Sequence, residues 1–490
     1  MDYDVIVAGA GNAALTAALS AREAGARVLV LEKAPQEARG GNTFFTDAVL
    51  RFPHGDVAEL SELVPDLSTE SIEVVPYSPD QFYADIMRIT EGLSDPELAQ
   101  VLVTQANSTF HWMTRQGVRW LPAFSFAPRT KSGRSRLHAI PLEASGGGKG
   151  LSDALFSAAE RQGVEVRYES KVVGLLTNGQ GRVRGVRVMA PGVAQEVEGA
   201  TVVLACGGFE ANREMRARYL GPDWDLVKVR GTRYNTGEGL RAALEVGAQP
   251  AGHWSGCHAI HWDLAAPPYG DRRLTILLSR RAYHLGIVVN IAGQRFLDEG
   301  EDFVPFTYAR YGRLILGQPQ RVAFQIFDSR VRQRLPQEYS FGSSATADSV
   351  EGLADALGVD REGLARTVQE YNAAVQEGNF NPAALDGVGT RGLTPPKSNW
   401  ALSLDTPPYY GYSVVCGITF TFGGVAINTR AQVLDTEDRP IPGLYAAGEM
   451  VGGLFFHNYP GGSGLTAGAV FGRIAGASAA EDARALRASG

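Results

Sequence analysis

The chain has 490 residues, 44% of them hydrophobic and 20% charged, which is the make-up of a globular protein and not of a disordered, fibrous or membrane-spanning one. That length exceeds what one hydrophobic core usually fills, so two or three lobes are expected. The 46 Lys and Arg against 53 Asp and Glu give a net charge of −7, the wrong sign for a general nucleic-acid or acidic-membrane footprint.

Residues 3–8 (YDVIVA) read as a strand, 12–24 (NAALTAALSAREA) as a helix and 27–31 (RVLVL) as a second strand, a complete βαβ unit. A strand pattern starting at Tyr3 leaves no room for an export signal, and runs such as 28–31 and 276–278 are far shorter than the roughly 20 apolar residues of a membrane span. A cytoplasmic protein without membrane insertion is expected. Residues 44–140 mix polar helical stretches with an Arg-, Lys- and Ser-rich loop at 128–136, and read as an insertion covering a site. A helix at 151–162 and a strand at 164–168 follow. The strands 172–177, 183–189 and 201–205 suggest a small antiparallel sheet that returns to the parallel one. Residues 240–410 carry short strands, many aromatics and one amphipathic helix at 361–376, and read as a second domain inserted into the first. Strands and turns fill 411–448, before a long glycine-rich helix.

The run Gly9-Ala10-Gly11-Asn12-Ala13-Ala14 lies between the first strand and the first helix, with Glu32 and Lys33 at the end of the second strand. Gly9 permits the tight turn, Gly11 lets a pyrophosphate touch backbone at the positive helix N-terminus, Ala14 allows close helix–strand packing, and Glu32 can accept from ribose hydroxyls. Three later blocks turn a dinucleotide reading into one for FAD. Gly40-Gly41-Asn42-Thr43 follows the second strand, Ala205-Cys206-Gly207-Gly208-Phe209 follows another, and Gly443-Leu444-Tyr445-Ala446-Ala447-Gly448-Glu449 sets a carboxylate over a ribityl-like polyhydroxyl chain. The run Gly461-Gly462-Ser463-Gly464-Leu465-Thr466 can then start a helix aimed at the flavin pyrimidine. The expected fold is α/β: a Rossmann-type, glutathione-reductase-like FAD-binding domain over 1–239 and 411–490, with an inserted α+β capping domain over 240–410.

Together with NTGEG at 235–239, FGGVAINTRAQVLD and IPGLYAAGEMVGG, these blocks resemble the flavoprotein family of succinate dehydrogenases, fumarate reductases and 3-ketosteroid dehydrogenases over essentially the whole chain. The resemblance implies FAD contacts from Glu32, Asn42, Thr43, Gly208, Glu238, Glu449, Ser463 and Leu465, with Val172 or Val173 at the adenine. Gly9, Gly11, Ala13, Ala14, Lys33, Gly41, Ala205, Gly207 and Gly464 join them from the same motifs. Covalent-flavin members carry a His just after the GG pair, whereas this chain has Asn42-Thr43-Phe44, so non-covalent FAD is expected. Dicarboxylate reductases have a His where this chain has Phe420, and their catalytic Arg would fall near Phe303. The runs GGNTFFTDA, RFLDEGEDF, TFTFGG and FFHNYPGGSGLT look most like the tricarballylate dehydrogenase subgroup, which implies oxidation of tricarballylate to cis-aconitate. Tyr459-Pro460-Gly461 is also similar to ketosteroid dehydrogenases, the rival enzyme reading. A flavoprotein serving a partner in a corrin-type biosynthetic pathway is the reading of a different class.

Oxidising a CH–CH bond beside a carboxyl or carbonyl group needs a proton acceptor, a hydride acceptor and groups that stabilise enolate charge. Tyr459, Arg281 and Tyr308 are the expected catalytic residues, with Arg310 and Tyr311 as neighbouring candidates for the base. Arg280, His457 and His284 are expected to bind a small anionic substrate. His253, His258 and His261 cluster near Cys257, but no carboxylate completes a ligand set and no metal is expected. Cys206, Cys257 and Cys416 stand apart without a CxxC, so neither an attached haem nor an iron–sulfur cluster is indicated, and the electron acceptor stays open among O₂, a soluble carrier and a separate membrane or iron–sulfur protein.

Overall fold

The computed structural model describes residues 2–65, 67–68, 70–130 and 132–489. Its main sheet runs in the order Gln432–Leu434, Pro440–Ala446, Val193–Leu204, Tyr3–Ala8, Val28–Leu31, Glu165–Arg167. The central pairings are parallel, with Ile6 opposite both Val202 and Leu29 and Val203 opposite Tyr445. Every residue of Tyr3–Ala8 and Val28–Leu31 is buried, and all but Asp4, which accepts from Arg27 N, are apolar or aromatic, as strands covered on both faces require. Lys171–Thr177 and Val183–Ala190 form an antiparallel flap on Val193–Leu204, the strand that leads back into the parallel layer.

The first helix, Asn12–Glu23, packs against the last, Ser463–Ser489, so closely that a Cβ on Gly472 would sit 2.4 Å from the Ala13 carbonyl oxygen and one on Gly476 2.0 Å from that of Ala17. The glycines of the last helix thus bring the chain's two ends together over the cofactor turn.

A second sheet is built around Tyr409–Val425. This long strand pairs antiparallel with Pro250–Asp263, Val322–Phe327 and Ala345–Ala347, and parallel with Lys228–Val229. Tyr409–Val425 straddles the boundary expected at 410/411, so residues on both sides of that point share one sheet. The expected helix at 361–376 is present as Arg361–Ala374.

Within 44–140 the helices Pro79–Ile89 and Pro96–Gln116 each open on Pro behind a capping side chain, Ser78 and Asp95, and the second closes on Gly117 at φ 104°. The same region also holds short strands that a helical reading omits. Val49–Leu50 and Trp120–Pro122 each pair with Leu142–Ala144 just beyond that region, and Ile72–Val74 pairs with Ser135–Leu137.

Candidate active site

A cavity opens at the carboxyl ends of the parallel strands, where Ala8, Leu31 and Ala205 meet Gly448. Gly9 adopts φ 102°, and a Cβ there would lie 2.4 Å from the Ala205 carbonyl oxygen, so the turn excludes any side chain. Gly11 caps the first helix without a side chain of its own, Thr43 Oγ1 accepts from Asn12 N at 2.9 Å, and the helix's positive end faces the cavity.

At one end stand Glu32, Lys33 and Val172. Burial pushes the Glu32 carboxyl up, against hydrogen bonds from the backbone of Ala34 and Ala10. Lys33 Nζ pairs with Glu238 at 2.9 Å. Burial raises Glu238, but hydrogen bonds from Thr236 and Lys33 outweigh it and hold this carboxylate below its ordinary value. In the middle, Asn42 Nδ2 donates to Glu210 at 2.6 Å and to the Thr419 carbonyl at 2.8 Å, while its Oδ1 accepts from Thr232 N at 2.9 Å. Glu449 accepts from Thr421 N at 2.7 Å. Burial together with the neighbouring Glu449 charge pushes Glu210 well above the carboxylate range, so at neutral pH Glu210 holds a proton beside Glu449.

At the far end the helix Tyr308–Leu316 and the loop before the last helix bring two phenols together, the Tyr308 and Tyr459 hydroxyls sharing a hydrogen bond. His258 packs edge-on against both rings, 5.0 and 4.9 Å between centroids, with Phe420 at 5.2 Å from Tyr459. Burial pushes both phenols above their ordinary value and holds His258 well below its own, so at neutral pH the phenols are protonated and the imidazole is neutral. Arg281 faces the same space, paired with Asp47 at 2.6 Å and Glu338 at 2.8 Å, and Arg230 lies beside it.

Residues 4–465 match the model of a family described as FAD binding domain. A probable fumarate reductase of Shewanella frigidimarina is 32% identical over 487 residues, spanning 98% of this chain and 75% of the relative. The chain belongs to the fumarate reductase and succinate dehydrogenase flavoprotein family. A 3-oxosteroid 1-dehydrogenase of Mycobacterium tuberculosis is 26% identical over 98% of this chain and 99% of its own. A solved flavocytochrome c3 fumarate reductase in its open conformation superposes with a TM-score of 0.74 at 29% identity, over 98% of this chain and 78% of the other. As a member of this family the protein is an FAD-dependent oxidoreductase acting on CH–CH bonds.

The cavity fits the family's FAD: a glycine turn, an open helix N-terminus and a buried carboxylate on the second strand are what a pyrophosphate and a ribose require. Of the expected cofactor residues, Gly9, Gly11, Ala13, Glu32, Lys33, Gly41, Asn42, Thr43, Val172, Ala205, Gly207, Glu238, Glu449, Gly464 and Leu465 line it. Ala14, Val173, Gly208 and Ser463 do not. Ala14 is fully buried in the helix–strand interface, and Val173 faces the other side of its strand from Val172. A Cβ on Gly208 would lie 2.2 Å from both Glu449 Oε1 and Thr421 Oγ1, so this glycine makes room for the Glu449 carboxylate instead of touching the cavity. Ser463 turns its hydroxyl to the Pro460 carbonyl.

Among the expected reaction-centre residues, Tyr459, Tyr308 and Arg281 line the cavity, and Arg280, His284 and His457 do not. These last three, expected to bind substrate, are placed elsewhere in the structure. Arg280 is buried in an ion pair with Asp263 at 2.7 Å and in hydrogen bonds to carbonyls of Ser279 and Glu338. His284 is half-buried against Trp400, its pKa pushed down to about 3 by desolvation and by Lys397. His457 is exposed, its backbone N bonded to His253 Nδ1. Arg310 pairs with Glu301, Tyr311 donates to the Asp298 carbonyl, and Phe303 packs on Trp400. His261 is bonded to Gln325, and among the described residues no three His, Cys, Asp or Glu side chains gather to hold a metal. In the 128–136 loop Arg136 pairs with Glu73, and Lys131 lies outside the described residues.

Arg230, Asp47 and His258 complete the wall without having been singled out as reaction-centre residues. Asp47 sits in GGNTFFTDA and Arg230 shortly before NTGEG, so their place inside motif-bearing segments was the available signal.

Proposed function

We propose that this oxidoreductase removes, or in reverse adds, two hydrogens across the α,β bond of a small polycarboxylate, with tricarballylate to cis-aconitate as the leading reaction. FAD, held non-covalently, supplies the two-electron acceptor or donor. The observation that supports this reading is the Tyr308–Tyr459 phenol pair set beside the guanidinium groups of Arg230 and Arg281 at one end of the cofactor cavity. The Arg230 guanidinium, with Arg281 held beside it by Asp47 and Glu338, would stabilise negative charge on the substrate's carboxyl oxygens as the α-proton leaves. The phenols, protonated at rest, would relay that proton from carbon in one direction and return it in the other. Residues 240–410 would act as a cap whose closure excludes water from this end. Electrons would pass to a separate acceptor, and the three unpaired cysteines suit a reducing cytoplasm.

A second reading, a 3-ketosteroid dehydrogenase, is favoured by the apolar wall of Phe126, Phe420, Phe422 and Phe455 and by the placement of Tyr459. Product analysis separates the two. Holoenzyme incubated with tricarballylate and an artificial dye acceptor should yield cis-aconitate by proton NMR, and formation of product only from a 3-ketosteroid would replace the first reading with the second.

A further inference from the structure

Arg281 and Arg230 face the same space, but their charges are in different states. The Arg281 guanidinium holds Asp47 with one nitrogen and Glu338 with another, so two carboxylates already neutralise it and occupy its fork. Arg230 is only 6% exposed, yet its guanidinium makes no hydrogen bond or ion pair with any described residue, and its Nε is buried without an acceptor. A desolvated cation without a counter-charge is among the most costly arrangements a protein interior can hold. Nothing in the local backbone forces it. Arg230 N is bonded to the Ile418 carbonyl at 2.7 Å and Thr232 N to Asn42, which fixes the segment while leaving the side chain directed at the cavity.

The one carboxylate whose charge reaches Arg230 is Asp47, and it is already committed to Arg281. Tyr308, Tyr459 and Phe420 present rings and protonated hydroxyls, and Asp47 is bridged to Arg281. His258 is the other titratable group on this wall, and burial with the Arg230 charge keeps it neutral.

The geometry points to Arg230 as the specificity-determining residue that seats one carboxylate of the substrate, with Arg281 locked by Asp47 and Glu338 as part of the wall. This rests on the polycarboxylate reading above and names the group that enforces it. A planar guanidinium with both terminal nitrogens free offers a carboxylate the paired, charge-assisted hydrogen bonds that discriminate it from an amide or a ketone.

The test is direct binding, independent of turnover. Oxidised holoenzyme is titrated with tricarballylate, succinate and the neutral triamide of tricarballylate, following the flavin difference spectrum, after the flavin-to-protein ratio of each variant is checked. Wild type should bind the carboxylates and not the triamide. Arg230→Met should weaken carboxylate binding on the order of 100-fold, the loss typical of removing one partner of a buried charge pair, and Arg230→Lys by about tenfold as the fork becomes a point charge. Should the Met variant fail to retain flavin, Arg230→Gln against Arg230→Lys makes the same comparison. Carboxylate binding that is unchanged in Arg230→Met or Arg230→Gln would overturn the assignment, as would a wild type that binds no carboxylate. Arg230-dependent binding without any tricarballylate oxidation would sink the proposed reaction and leave the carboxylate seat standing.

Discussion

Tyr308 and Tyr459, separated by 151 positions in the chain, join their hydroxyls in one hydrogen bond at the cavity's reaction end. One phenol comes from a helix packed on the second sheet and the other from the loop that starts the last helix, so the pair exists only when both lobes are in place. Neither oxygen is needed to hold the cofactor turn. Tyr308→Phe and Tyr459→Phe should therefore keep FAD bound while turnover falls at least ~10-fold, the ~1.4 kcal/mol that one lost polar contact can cost. Flavin content and steady-state rate on the same preparations check this, and full activity in both variants would remove the phenols from the mechanism.

Burial and the neighbouring Asp47 push the Glu143 carboxyl up to about 7, with Arg281 opposing. The group is neutral below that pH and gains a negative charge as pH rises through it, next to the Asp47–Arg281 pair. An anionic substrate should then bind less well, with KM rising about threefold from pH 6 to 8 for a partly screened charge. The KM profile of Glu143→Gln should be flat across the same window.

Arg280 and Asp263 form an ion pair with both side chains 0% exposed. Arg280→Met leaves that aspartate buried and unpaired, which costs about 3 to 5 kcal/mol. Denaturant unfolding should show a loss of that order, while KM of the folded enzyme stays within about twofold. A large rise in KM with unchanged stability would return Arg280 to the substrate site.

Glu210 is raised far above its ordinary 4.5 by burial and by Glu449. A carboxyl raised on folding keeps its proton in the native state where the unfolded chain has lost it. Its contribution to stability is complete below 4.5 and is lost as pH climbs toward the folded value. Glu210→Gln keeps an acceptor for Asn42 and Asn235 and can donate to Glu449. Melting temperatures measured from pH 5 to 8 should fall less steeply in this variant than in wild type, and parallel curves would argue against the proton on Glu210.

The cofactor half of the site was legible because local chemistry dictates it. A turn in which any Cβ would lie 2.4 Å from a carbonyl oxygen admits glycine alone, and the strand, turn and helix around Gly9 and Gly11 are contiguous in sequence. The reaction end was legible only where a residue adjoined such a motif, as Tyr459 does. Arg230, Asp47 and His258 come from three separate segments that the second sheet and the insertion bring together, and no local period announces that meeting. Arg280 and Arg281 show how fine the margin is. Adjacent in the chain, one enters the core pair with Asp263 and the other faces the cavity. The insertion's strands escaped for another reason, since two or three residues such as Val49–Leu50 carry too little alternation to read.

The proposed reaction is tested most directly by adding substrate to the oxidised holoenzyme without oxygen and following the flavin absorbance band. Tricarballylate should bleach it, cis-aconitate should restore the colour of the reduced enzyme, and Tyr459→Phe should slow both. Bleaching by a 3-ketosteroid with none by tricarballylate or a close polycarboxylate would contradict the reading.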